Sequence, residues 1–537
     1  MFYKKEKTLY VPDQGNMSRR RFIKYSGGTF ASLVALSLMP VDTVLATSKE
    51  PTFKDYPFKL GVASGDPLPD SVVLWTRLAP EPLAEDGLGG MLDHNVPVHW
   101  EVAEDEMFRN VVKRGTALAL PELAHSVHVE VRGLKPACYY WYRFKSGQEI
   151  STVGRTKTAP SFGAQVKSLS FAFASCQAWY EGFYTAYKHM AQEELDLVFF
   201  LGDYIYEHKI GPTGGVRNVS LPPVHNNQTV TLSQYRLRYS LFKTDPDLQA
   251  AHANFPWVVT GDDHEVENNY ADDISEYGVS REDFLAQRGA AYQAFYENLP
   301  LRSTSLPNGP DMLLYRKLTY GNLAQFNVLD TRQYRDDQIK TSSPTEETMD
   351  PNRTMLGQEQ ERWLLNNLGN SIATWNVLAQ QIIMAQADHD SGPIMKIGND
   401  LWDGYAGARK RLFSEIIERK VKNLVVLTGD AHRNFAAELK ENFDDPNSAT
   451  IGTEFLGTSI TSGKDGADMD KLGEEWLAAN PHMKFHNSQR GYVRCNLTQE
   501  RWLTDFRVVP YVTKPDAPIS TRASFVVENN RPGLQKV

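Results

Sequence analysis

The sequence predicts an α/β protein whose main sheet is covered on both faces, preceded by a small all-β unit. Three observations carry this. Unbroken apolar runs such as Leu197–Leu201 recur along the chain, and each stops at a polar or ionisable cluster. Strands buried on both faces of a parallel sheet read in this way. Helical spacing joins two of these runs, at Phe183, Tyr187 and Met190. Before about residue 160 there is no helical period, only short β-branched and aromatic segments between Gly and Pro turns.

The amino terminus is read first. Ser18-Arg-Arg-Arg-Phe-Ile-Lys24 is a twin-arginine export signal, and an apolar stretch, Phe30–Met39, follows it. That stretch is shorter than the ~20 residues of a membrane span and reads as the core of a signal peptide. Val44-Leu-Ala46 supplies small residues for cleavage, so residues 1–46 are assigned to the signal. The implied partner is the twin-arginine translocation machinery, and the implied location is periplasmic or secreted, with no stable membrane span. This route carries folded proteins, commonly ones that take up a metal or cofactor first. The whole chain has formal net charge −9; residues 1–46 carry seven Lys/Arg and three Asp/Glu, so the remainder is at −13. No basic run follows residue 24, which argues against a nucleic-acid-binding surface. Three cysteines, Cys138, Cys176 and Cys495, are too few and odd in number for a disulfide scaffold.

Residues 53–160 form the first domain. Val72–Arg77, Val98–Val102, His128–Val131 and Tyr139–Phe144 are its strands, separated by turns such as Gly65-Asp-Pro67 and Gly133-Leu-Lys-Pro136. The pattern is that of a fibronectin III-like β-sandwich. It holds no catalytic cluster and reads as a packing or substrate-shaping module. Thr156–Ala164 is the linker, and residues 511–537 are left as a C-terminal extension.

Residues 165–510 hold the chemistry. Leu169–Ser175 is a strand ending at Cys176, and the helix from Phe183 follows. The strand Leu197–Leu201 then ends at Gly202-Asp-Tyr-Ile-Tyr-Glu-His208. Open α/β sheets place ligands just beyond the carboxyl ends of their strands. Trp257–Thr260 gives way to Gly261-Asp-Asp-His-Glu265, then Asn268 and Asn269. So many polar groups cannot be buried without partners. Phe326–Leu329 ends in Asp330-Thr-Arg-Gln-Tyr-Arg335, Trp375–Ala379 in Gln380-Gln381, and Asn423–Thr428 in Gly429-Asp-Ala-His432. Asp430 and His432, two apart on extended chain, can face one side. Thr453–Thr458 is a further strand, leading to the turn Ser459–Ser462.

Gly-Asp-x-x-Tyr, then Asp-Asp-His-Glu, then Gly-Asp-x-His, in that order, resembles the layout of calcineurin-like metallophosphoesterases. The stretches Gly61–Pro67, Val73–Arg77, Ala174–Gln177, Gly202–Tyr206, Asp262–Val266, Asp330–Arg335 and Leu427–His432 together resemble the PhoD-type alkaline phosphatases, from about residue 55 to 500. The resemblance implies a metallophosphoesterase-type β-sandwich core flanked by helices. Family members usually carry Trp before Asp262; here it is Gly261, a departure that touches the packing of the loop.

The resemblance further implies Fe3+ and Ca2+ in a shared cluster, with Cys176, Asp203, Tyr206, Asp263, Asp430 and His432 as metal ligands. The residue types agree with it. Thiolate and phenolate suit a high-valent transition metal, and hard carboxylate oxygens suit Ca2+. Asp203 would bridge. The expected activity is that of an exported alkaline phosphatase or phosphodiesterase, hydrolysing phosphoesters with a metal-activated water or oxide and releasing phosphate for uptake. His264 is the catalytic candidate, donating to the phosphate or to the leaving alkoxide; alternatively it orients Asp263. Arg332 and Arg335 are candidates for phosphate contact or for buried structural pairs; the Asp-x-Arg of Asp330-Thr-Arg332 at a strand end favours internal pairing, and Asn268 and Asn269 read as loop-forming. A metal-containing binding protein of the same fold is the competing reading. Loss of one ligand position would mark it, and all are present.

Overall fold

The computed structural model describes residues 50–537; the export signal expected at residues 1–46 lies outside them. Two sheets face each other. The first has ten strands, in spatial order Arg531–Lys536, Ser520–Glu528, Arg501–Val509, Arg490–Leu497, Leu169–Ala174, Leu197–Phe200, Pro256–Val259, Val62–Leu68, Ser71–Arg77 and Ser126–Arg132. The second has seven: Arg316–Tyr320, Ala324–Val328, Trp375–Ala379, Leu424–Thr428, Thr450–Leu456, Asn434–Lys440 and Met483–Asn487. Each sheet is parallel at its centre and antiparallel towards its edges.

Alternation along single strands builds the layers. In the run from Leu197, the side chains of Leu197, Phe199 and Leu201 enter the core between the sheets, while Val198 and Phe200 face the helices on the other side. Within that core Phe171 meets Phe199, Phe326 and Trp502 edge to face, with Phe326 reaching in from the opposite sheet. The helices Thr185–Met190, Leu232–Lys243, Pro246–Asn254 and Arg281–Asn298 cover the ten-stranded sheet. Gly357–Gly369 and Ala406–Glu418 cover the seven-stranded one. A β-sandwich core flanked by helices is thus the observed architecture, as the resemblance implied.

The amino-terminal part is less separate than its sequence pattern suggests. Val96–Ala103, Val111–Ala119, Tyr139–Ser146, Glu149–Ile150 and Gly154–Lys157 form a small sheet of their own. Its sandwich partner, however, is the end of the ten-stranded sheet. Ser64 and Gly65 pair in parallel with Pro256 and Trp257. Gly65 is what permits this approach, because a Cβ there would stand 2.4 Å from the Pro300 carbonyl oxygen and 2.7 Å from that of Trp257. Polar contacts fasten the same seam. Asp66 accepts from Arg316 at 2.8 Å, Trp75 Nε1 donates to the Glu297 carbonyl at 2.9 Å, and buried Arg77 reaches Ser240 at 3.0 Å and Asn298 at 3.2 Å. The carboxyl end differs likewise. Residues 511–537 were expected as an extension, yet Ser520–Glu528 and Arg531–Lys536 are integral edge strands, because Phe525 and Val527 point into the core between the sheets.

Candidate metal centre

The site lies where the parallel strands of both sheets end. Four candidate residues sit there in the left-handed backbone region: Cys176 (φ 59°), Asp203 (φ 60°), Asp430 (φ 63°) and His432 (φ 55°). For non-glycine residues this conformation is uncommon and collects at functional sites. Gly202, at φ 109°, makes the turn before Asp203; a Cβ on it would stand 2.4 Å from that of Asp262. Glycine thus brings two strand-end loops together. The loop at Asp203 is also tied to that at Cys176: the Cys176 amide donates to the Gly202 carbonyl and the Gln177 amide to the Asp203 carbonyl, both at 3.0 Å.

One donor atom from each of Cys176, Asp203 and His432 lies within 4.8 Å of the others. The Tyr206 hydroxyl joins this group, donating to Asp203 Oδ2 at 2.8 Å and lying 3.2 Å from His432 Nε2. It accepts from Ser462 Oγ at 2.7 Å. Asp203, Asp263 and His264 form a second group of the same tightness, and Asp262, Asp263 and Asp430 a third. All seven residues singled out from the sequence therefore meet in one place. Asp203 belongs to two of the groups, and its Oδ1 is buried without a hydrogen-bond partner.

Several residues of the site carried no assignment in the sequence. Asp262 is one. Its Oδ1 takes Arg332 Nε at 2.5 Å, and its Oδ2 is buried and unpartnered. Glu207 holds His264 through Nδ1 at 2.8 Å and accepts the Asn268 amide at 3.0 Å. Glu265 accepts the backbone amides of Asp203 (3.1 Å), Tyr204 (2.5 Å) and Asp262 (2.7 Å), clamping both loops with one carboxylate. The sequence signal was a carboxylate directly beside each assigned residue; what it lacked was a direction. Arg332 Nη1 donates to both carboxylate oxygens of Asp400, at 3.1 and 2.9 Å, and the Arg332 side chain does not pair with Asp330. Its Nη2 has no hydrogen-bond partner and lies 3.5 Å from Asp430 and 3.8 Å from Asp263. Arg335 donates to Asp400 and to the Asn269 and Tyr270 carbonyls. The Asn269 amide donates to Asp263 Oδ2 at 2.7 Å. At Gly261 a Cβ would meet only ordinary contacts, the nearest 3.7 Å away.

The PhoD-like phosphatase family model matches residues 171–506, and the model of that family's N-terminal domain matches residues 44–160. The chain belongs to the PhoD-like phosphatases. It is similar to alkaline phosphatase D of Bacillus subtilis (strain 168), with 54% identity over 523 residues, 97% of this chain and 89% of that protein. It is also similar to a solved structure described as that of PhoD, at 56% identity and a TM-score of 0.87, covering 91% of this chain and 93% of the other. This PhoD-like phosphatase is accordingly a phosphoric ester hydrolase. Among its described residues no helix is long and apolar enough to cross a membrane.

The electrostatics of the site call for cations. Burial pushes Asp203 and Asp430 well above the usual carboxylate range, and neighbouring carboxylates add to it. Burial raises Asp262 to about 6 and Glu265 to about 7. Cys176 and Tyr206 are driven up by burial and by the charge of Asp203. Burial lowers His432 to about 3, leaving it neutral and able to coordinate. Converging anionic donors that repel one another, with carboxylate oxygens left unpartnered, are stabilised by bound positive charge. The donor set, with thiol, phenol and imidazole on one side and carboxylates on the other, fits bound metal ions.

A pH prediction arises here. Stripped of metal, the site itself should cost more stability as pH rises. Asp203, Asp430, Asp262 and Glu265 are all raised in the folded state. What they contribute is complete below the unfolded value of ~4 and is lost as pH climbs through about 6 to 7 and beyond. His264 has the same sign: burial opposes its charge, but Asp263, Glu207 and Asp203 hold it well above its ordinary value. Glu207 is held low by His264 despite its burial, so its contribution is lost only below pH ~4.5. Buried histidines away from the site, such as His125 and His128, both lowered to about 4 by burial, have the opposite sign up to pH ~6.5 with or without metal. The gap in melting temperature between metal-loaded and chelated protein should therefore widen from pH 5 to 8. A gap that stays constant would contradict this account.

Proposed function

We propose that this enzyme acts outside the cytoplasm on phosphomonoesters and phosphodiesters and releases phosphate for uptake. Cys176, Tyr206 and His432 would hold Fe3+, Asp263 and Asp430 would hold Ca2+, and Asp203 would serve both. The observation that carries the reading is the position of Asp203. Its carboxylate is common to the thiol, phenol and imidazole group and to the group around Asp263, and one of its oxygens is free. The twin-arginine motif Ser18–Lys24 supports export.

Ions held there would supply positive charge against the phosphoryl oxygens and lower the pKa of the attacking water. The chain's own residues do the rest. Glu207 fixes His264 Nδ1, so Nε2 is the ring atom free to deliver a proton to the leaving oxygen. The unengaged Nη2 of Arg332 offers donors to a phosphate oxygen beside Asp430. Asp400 keeps that guanidinium in place. Glu265 holds the Asp203 and Asp262 backbones in register.

Cys176→Ser tests the iron assignment. Cys176 is buried and its amide is used in tying the loops, so the variant should stay folded while retaining less iron. A thiolate and phenolate iron site absorbs visible light by charge transfer, and that band should shift or vanish in the variant. A wild-type enzyme that is colourless, iron-free and fully active would refute the assignment.

A further inference from the structure

Beside the metal centre stands a second donor set that the proposed mechanism uses only in part. Glu207, His208 and His264 each place one donor atom within 4.8 Å of the other two. Glu207 Oε2 is 2.8 Å from His264 Nδ1, and Glu207 Oε1 is 3.5 Å from His208 Nδ1. The His208 and His264 rings meet edge to face with centroids 5.0 Å apart.

We propose that these three residues form an inhibitory zinc site, separate from the iron and calcium ligands. Two imidazoles and one carboxylate, with water in the fourth position, are a donor set zinc takes at ~2.0–2.2 Å. Donors of a tetrahedral ion with such bonds lie ~3.3 Å apart, close to the two separations seen here. Nitrogen donors also disfavour calcium, which prefers oxygen. Support comes from behind: Glu207 is fully buried and is fixed by the Asn268 amide at 3.0 Å and approached by the Tyr277 hydroxyl at 3.4 Å. Such outer contacts hold ligands in place. Access comes from in front. The His208 side chain is 41% exposed while that of His264 is 12% exposed, so an ion enters past His208.

The inference rests on the proposed role of His264 in giving a proton to the leaving group. Zinc would take the place of the proton that His264 Nδ1 shares with Glu207, and that proton would pass to solvent. The zinc-bound imidazole keeps an Nε2 hydrogen but is a far weaker acid than imidazolium. Esters whose leaving oxygen needs protonation should therefore suffer most.

The test adds zinc chloride to the metal-loaded enzyme and to His208→Gln, removes free ion, counts bound metals, and measures kcat/KM for an alkyl and a p-nitrophenyl phosphate. Wild type should hold more zinc than the variant, with iron and calcium unchanged. Its alkyl-ester rate should fall at least ~10-fold, the aryl rate less. The variant should keep its zinc-free rates and, having lost a direct ligand and not a supporting contact, need at least ~100 times more zinc for the same inhibition. Equal zinc binding and inhibition in both proteins, or loss of calcium as zinc enters, would overturn the proposal. Zinc counting does not depend on turnover. Zinc bound through His208 in a chain whose two esters are slowed equally would leave the site standing and overturn the acid role of His264.

Discussion

Replacing Asp203 with alanine is expected to abolish hydrolysis and to remove iron and calcium together. The carboxylate is fully buried, belongs to two groups of candidate ligands, and has one oxygen bonded to Tyr206 and the other unpartnered. Loss of a residue that merely supports a ligand typically costs ~10–100-fold in metal affinity or activity; loss of a shared ligand should exceed this for both ions at once. Folding should survive. The variant removes a buried carboxylate whose charge raises Cys176 and Tyr206, and alanine can leave the amide at 203 bonded to Glu265. Metal content and circular dichroism on the same preparation provide the measurement. A folded variant that kept its iron and lost only calcium would show that Asp203 does not bridge.

The second large effect concerns His264. His264→Ala should lower kcat/KM for alkyl phosphates far more than for p-nitrophenyl phosphate, whose leaving group needs little help. General-acid catalysis is typically worth ~10²–10⁴-fold, so the gap between the two ester classes should reach at least ~10-fold. The geometry makes the imidazole suitable. Glu207 fixes one ring nitrogen, Tyr206 lies against the ring at 4.3 Å between centroids, and Asp203 and Asp263 are within ligand distance. A residue that only orients Asp263 would behave differently: both esters would slow equally and metal content would fall. Measuring both quantities separates the two roles. Glu207→Gln should reproduce part of the effect, because the neutral amide no longer favours the charged ring.

The layers of the fold were legible because two-sided burial leaves a plain mark. The run from Leu197 to Leu201 reads as a central strand, and it ends where the candidate ligands begin. The seven residues chosen from strand ends do converge, since a parallel sheet gathers those ends on one edge. What was not legible has physical reasons too. Glu207 and Glu265 lie beside assigned residues in the chain, but whether a carboxylate faces a metal or a backbone amide depends on loop geometry that spacing does not encode. Arg332 was read from its neighbour Asp330, whereas its partners Asp262 and Asp400 are 70 and 68 positions away. The edge strands after residue 511 were missed because Ser520–Glu528 opens with three exposed polar residues and shows its apolar side only from Ala523. Strands of the first domain gave no sign of joining a larger sheet, because pairing through backbone at Ser64 and Gly65 leaves no trace in side-chain pattern.

That last junction bears on ancestry. With Gly65 seated against Trp257 and Arg77 reaching Asn298, the first part of the chain is not a bead on a string. A gene that lost it would expose the strand Pro256–Val259 as a bare edge, open to pairing with strangers. The two parts are therefore bound to be inherited together, and variation in either is free only where it respects the seam.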